Sequence, residues 1–147
     1  MSVHLIKLCV GVESPEELAR EQAEKMAQAR AHGSAAPGPW HITRRYPRRD
    51  GELLDGGSLY WVICGTIRVR QKLIAVEPVT DSQGRAACCL SLDPTHVPVM
   101  PRARRPFQGW RYLEAADAPA DLNARETAQD ADMPAWMRAE LADLGLL

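Results

Sequence analysis

The chain contains a single phenylalanine, Phe107, and no apolar run that approaches the ~20 residues a membrane-spanning helix requires. No spanning segment is expected, and no membrane partner. No C-x-x-C or H-x-x-x-H pair occurs, which removes the common zinc frames. His4, His32, His41 and His96 are scattered along the chain. Cys88 and Cys89 are neighbours, so in a strand they would face opposite ways. No metal or cofactor is expected. The chain also lacks a G-x-S-x-G elbow and the glycine loops G-x-x-x-x-G-K-[ST] and G-x-G-x-x-G, so neither a serine nucleophile nor a nucleotide cofactor has a frame. The N-terminal apolar stretch is short, is interrupted by His4 and Lys7, and leads to no cleavage-like segment. A reduced, cytoplasmic protein with free cysteines is expected.

What is present is arginine, unevenly placed. Residues 1–37 carry four basic and five acidic groups, residues 38–112 twelve and six, and residues 113–147 two and eight. A centre of net +6 is thus followed by a tail of net −6. Seven of the eight aromatics lie in the basic centre, Trp136 being the exception. At 147 residues one folded domain is expected. It is assigned to residues 1–122, with residues 123–147 as an acidic tail ending in a short docking helix built on Trp136, Met137, Leu141 and Leu144.

Residues 3–12 read as a buried strand, rich in β-branched side chains. Ser14, Pro15 and Glu17 supply an N-cap, a first helical proline and a capping-box glutamate. The helix they open should run to about Ala31 and bury Leu18, Ala19, Ala23, Met26 and Ala27. A short strand is expected over residues 41–46. A hairpin follows over residues 58–76, turning on Gly65-Thr66 as a type II′ pair. That register sets Trp61 opposite Arg70 and gives one strand face a cationic character, and a one-residue slip would exchange the faces. Residues 81–84 turn a second hairpin. Four prolines between Asp93 and Phe107 predict an extended, largely unpaired stretch. About five strands and two helices, one N-terminal and one C-terminal, make an α+β domain with a curled, mainly antiparallel sheet.

The basic segments carry the leading functional expectation. Arg44, Arg45 and Arg48 flank Tyr46, Arg68 and Arg70 share a strand with Trp61 close by, and Arg102, Arg104, Arg105 and Arg111 accompany Phe107, Trp110 and Tyr112. Guanidinium groups match phosphate and aromatic faces stack on bases, the two components of a single-strand groove. For the three clustered aromatics a second reading stands beside this one: they plug the end of a barrel, with Arg111 over a ring.

The segments HLIKLCVGV, ELLDGGSLYWVICGTIRVRQ and RRPFQGWRYL together resemble a bacterial family, domain of unknown function 1489, from His4 to about Leu122. More distantly the chain is similar to PUA-like barrels of the ASCH and EVE type. That likeness implies a partly open, mainly antiparallel β-barrel and a role on RNA or modified bases. The expected function is therefore nucleic-acid binding, RNA-favoured, without catalysis. Arg44, Arg45, Arg48, Arg68 and Arg70 would meet phosphates, Arg102 to Arg105 and Arg111 would line the groove, and Trp61 and Trp110 would stack. The acidic tail would compete with RNA for the basic centre. The alternative is an enzyme or small-molecule binder with a pocket under residues 93–112, using Asp55, Ser58, His41 or His96. A protein-interaction module that sets the same arginines against an acidic partner is a third reading.

Overall fold

The computed structural model describes residues 2–33 and 38–122. The expected tail and its helix lie outside them. The first strand, β1 (Val3–Leu8), leads into helix α1 (Pro15–Ala31), and strand β2 (Trp40–Thr43) follows. A one-turn helix, α2 (Asp50–Leu53), precedes β3 (Ser58–Ile63) and the long β4 (Thr66–Thr80). The remaining strands are β5 (Ala86–Leu92), β6 (Val97–Ala103) and β7 (Trp110–Glu114), with a 3-10 turn at Ala115–Asp117.

All seven strands join one mixed sheet in the order β2-β5-β4-β3-β1-β7, with β6 also paired to β4. β1 and β3 run parallel, which the crossover through α1, β2 and α2 permits, and the other pairings are antiparallel. The sheet is α+β in character but is not closed, since β2 and β7 end the path without pairing to each other. Among the described residues the second helix is α2, not a C-terminal one.

Ser14 caps α1 as expected, its hydroxyl accepting from the Glu17 amide at 3.1 Å. The Glu17 carboxylate reaches back to the Glu13 amide at 2.9 Å, one residue beyond the reciprocal partner. The buried face of α1 differs from the expected stripe. Leu18 and Gln22 are buried, with Met26 and Ala29 partly so, whereas Ala19, Ala23 and Ala27 are exposed. A glutamine holds the centre of the stripe because it finds a partner across the interface in Gln71.

The first hairpin turns one residue earlier than expected. Ile63 pairs with Thr66, so Cys64 and Gly65 form the turn, with φ of 51° and 78°. Two successive left-handed residues define a type I′ turn, and here a cysteine takes one of the places usually held by Asn, Asp or Gly. A register shift between Trp61 and Val62 then sets Trp61 opposite Val69 and Tyr60 opposite Arg70. The expected cationic face on β3 therefore does not form. β3 is buried at every position because it lies between β1 and β4 with both faces covered.

One face carries the larger core, where Leu5, Leu59, Trp61, Val69, Leu73, Leu90 and Trp110 pack with Leu18 of α1. The other carries Ile6, Tyr60, Val62, Ile67, Val99 and Leu113. At Gly57 an added Cβ would collide with the carbonyl oxygens of Val3 and Leu53, so glycine is what lets α2 press against β1.

The proline-rich stretch is also more regular than expected. β6 pairs with β4 at Val97, Pro98, Arg102 and Ala103, and a shift in register carries the chain past Pro101. β6 continues along β4 where β5 stops, since Leu92 faces Leu73 and Val97 faces Arg70. Proline is tolerated at such an edge. The segment after β7 ties down this edge through a bridge between Val99 and Asp121.

Candidate nucleic-acid interface and cationic pocket

The arginines fall into two exposed groups and one engaged residue. β6 brings Arg102 opposite Ile67, next to the half-buried Arg68. The Arg104 amide then donates to the Gly65 carbonyl at 2.9 Å, which seats Arg104 and Arg105 against the β3–β4 turn. The guanidinium of Arg104 lies 5.5 Å from the Phe107 ring centre, and Arg102 donates to the Asp117 carbonyl. The second group surrounds the start of β7. Arg44, Arg45 and Arg48 are exposed on the β2–α2 connection and Arg111 is exposed on β7. Arg45 lies 4.1 Å over the Trp110 ring, and the Trp110 indole N–H donates to the Arg45 carbonyl at 2.8 Å. Among the described residues, salt bridges form at Arg49, Arg70 and Arg85, and none forms at these exposed arginines.

Arg70 is otherwise engaged. Its guanidinium grips both oxygens of Asp121, at 2.7 and 2.6 Å, and donates to Ser58 Oγ at 2.8 Å. That ion pair holds the Asp121 carboxyl below its usual range. Arg70 thus fastens the segment after β7 to the sheet rather than standing free for phosphate.

The expected stacking platforms are core residues. Trp61 is 3 % and Trp110 4 % exposed, so neither presents a face to solvent. Trp110 is closed in by Tyr112, at 4.8 Å and edge-on, and by Arg45. Each ring of the cluster has a cation over it, Arg104 at Phe107, Arg45 at Trp110 and Arg49 at Tyr112, and in none of these contacts is the cation Arg111.

A distinct site lies beneath α1. A cavity of about 260 Å³ is lined by Lys7 and Cys9 on and after β1, by Leu18, Glu21, Gln22 and Lys25 of α1, and by Trp40, His41 and Trp61. Its lining residues Gln22 and Trp61 belong to a polar network that continues behind it. Gln22 and Gln71 exchange amide hydrogen bonds at 2.7 and 2.9 Å, the Trp61 indole donates to Gln71 Oε1 at 2.9 Å, and His96 Nε2 lies 2.9 Å from Gln22 Oε1. The Lys25 ammonium donates to the Trp40 carbonyl at 3.1 Å and sits 4.7 Å over its ring. Burial lowers the pKa of both Lys7 and Lys25. His41 stands edge-on to Trp61 at 5.2 Å, and its Nε2 is buried with no hydrogen-bond partner. Burial first, then Lys7 and Lys25, push its pKa down to about 4. Burial and two glutamates push the Cys9 thiol up to about 12, so it is a neutral wall and not a nucleophile.

No residue of 93–112, where a pocket was expected, lines this cavity. Of the four residues named for that pocket His41 lines it and His96 reaches it through Gln22, whereas Asp55 and Ser58 do not line it. Sequence reasoning missed Lys7 and Lys25. Lys7 had a usable signal: it continues the inward alternation of Val3 and Leu5, and a charge on an inward position asks for an explanation.

The chain matches the family described as Protein of unknown function (DUF1489) over residues 5–147, and it belongs to that family. No curated protein matches it, and no solved structure matches it. Among the described residues no helix is long and apolar enough to cross a membrane.

Proposed function

We propose that this protein is a cytoplasmic nucleic-acid-binding module, RNA-favoured, that grips its ligand by phosphate. The observation that carries the reading is the gathering of Arg102, Arg104 and Arg105 at the β3–β4 turn beside Arg68, with no carboxylate in a salt bridge to any of them among the described residues. Unpaired guanidinium groups on a surface attract polyanions without sequence choice. Arg44, Arg45, Arg48 and Arg111 extend the same chemistry to the edge at β7. Because Trp61 and Trp110 are buried, the reading relies on charge and leaves base stacking to neither. Arg70 is removed from the contact set for the reason given above.

The finer fold reading belongs to the same proposal. The sheet is a partly open, PUA-like barrel whose gap between β2 and β7 is spanned by the β2–α2 connection. Support comes from the exchange between Arg45 and Trp110 and from the Arg49 amide donating to the Tyr112 hydroxyl at 3.1 Å.

The test is fluorescence anisotropy with single-stranded RNA, duplex RNA and single-stranded DNA at low and high salt. Salt-sensitive binding, strongest to RNA and weakened in Arg104→Ala/Arg105→Ala, is the expected result. Failure of the folded wild type to bind at low salt would remove the reading.

A further inference from the structure

The cavity under α1 holds features that the arginine surface does not explain. The half-buried Lys7 and the more exposed Lys25 both line this space, burial lowers the pKa of each, and no carboxylate forms a salt bridge with either among the described residues. Glu21, the one carboxylate in the lining, leaves Lys7 and Lys25 in excess by one charge. Across from them His41 Nε2 is buried and unpartnered, an uncommon state for a polar atom in a folded interior. A ring nitrogen and two ammonium groups are converging donors once the imidazole proton sits on Nε2.

We propose that this cavity binds the anionic head of a small organic acid, a carboxylate or a phosphate, between Lys7, Lys25 and His41. An anion there would offset the desolvation of both lysines and satisfy His41 at the same time. The remaining lining gives the ligand a body. Leu18, Trp40 and Trp61 form an apolar wall, and the 88 % exposed Val10 stands at the mouth. The volume of about 260 Å³ equals roughly nine water volumes, room for about ten non-hydrogen atoms and too little for a folded polymer segment. With Cys9 neutral, the site binds and does not attack.

The inference stands apart from the RNA reading, and one experiment separates them. Trp40 and Trp61 line the cavity, so tryptophan fluorescence and thermal unfolding report on it when the intact protein is titrated with inorganic phosphate, phenyl phosphate and benzoate. At roughly 10 mM probe, a site with Kd of about 0.1 mM is saturated and the melting temperature rises by several degrees. Phenyl phosphate or benzoate should bind more tightly than inorganic phosphate, and whichever of the two prevails names the head group. Lys7→Met and Lys25→Met should each weaken that probe about tenfold or more, while Arg104→Ala/Arg105→Ala leaves it unchanged. Lys25→Arg should recover part of the affinity, which a loss of mere packing would not explain. The proposal is overturned if none of the probes binds the folded wild type, or if both lysine variants bind as the wild type does.

Discussion

The two cationic regions of this protein use charge in opposite ways. At the β3–β4 turn the arginines are exposed, lie on turns and strand ends, and keep their water. Beneath α1 the half-buried Lys7 and the more exposed Lys25, each with a pKa lowered by burial, share a cavity with an unpartnered imidazole and the hydrogen-bonded Gln22. A wet cluster of charges costs the fold little and attracts any polyanion from a distance. A desolvated cluster costs the fold something and is selective, because only an anion that fits recovers that cost. Charge density alone, the quantity legible in the sequence, does not separate these two uses. Burial does.

The largest effect is expected in the polar network behind the cavity. Gln71 is fully buried and bonds Gln22, the Trp61 indole and the Asp93 carbonyl. Gln71→Ala should cost about 4 kcal/mol, since it orphans buried donors and leaves a void. Urea denaturation measures this. By contrast, Arg104→Ala/Arg105→Ala should move stability by no more than about 0.5 kcal/mol.

Next in size is the pH dependence of His41. Its folded pKa of about 4 lies below the ordinary imidazole value of 6.5, so between these values the unfolded chain binds more protons. Stability is complete above 6.5 and falls as pH drops toward 4, by about 3 kcal/mol in all. His41→Phe, which keeps a ring against Trp61, should lose this component. Equal acid sensitivity in the two proteins across that range would show that the imidazole is not held neutral.

A smaller effect is expected at Arg70. Arg70→Ala breaks the pair with Asp121, and because Asp121 is 42 % exposed at its side chain the loss is discounted to about 1 kcal/mol. The same variant should leave RNA affinity close to wild type, in contrast to an exposed arginine. A large loss of RNA binding with intact stability would return Arg70 to the contact set.

How much of this was legible depends on which physical signal each element carried. The α1 cap, the start of the first strand and the Asp81 turn were readable, because capping and turn chemistry are local; the strand itself ends at Leu8, short of the expected residue 12, and Val10 is 88 % exposed. Asp81 Oδ1 indeed accepts from the Gln83 and Arg85 amides, both at 2.9 Å. The first hairpin was misread by one residue because its turn sets a cysteine at φ 51°, a conformation that sequence rules reserve for glycine and asparagine. That slip made Trp61 look like a surface ring beside Arg70. Trp110 was placed by a partner 65 residues away, the Arg45 carbonyl, which no local pattern announces. The stripe on α1 was misplaced for a related reason: Gln22 looks solvent-facing until Gln71 arrives from another element. Arginine clustering was visible throughout, and the structure brings Arg102 to Arg105 to Arg68 through the pairing of β6 with β4.

The most direct test of the division between the two regions is the salt dependence of RNA affinity in the wild type, Arg104→Ala/Arg105→Ala and Lys25→Met. Each phosphate contact removed from a single strand lowers the slope of log K against log salt by about 0.7. The arginine variant should therefore lose about 1.4 from the slope, at two contacts of about 0.7 each, while Lys25→Met keeps the wild-type line. A wild-type slope in the arginine variant, or a slope lost in Lys25→Met, would contradict the account.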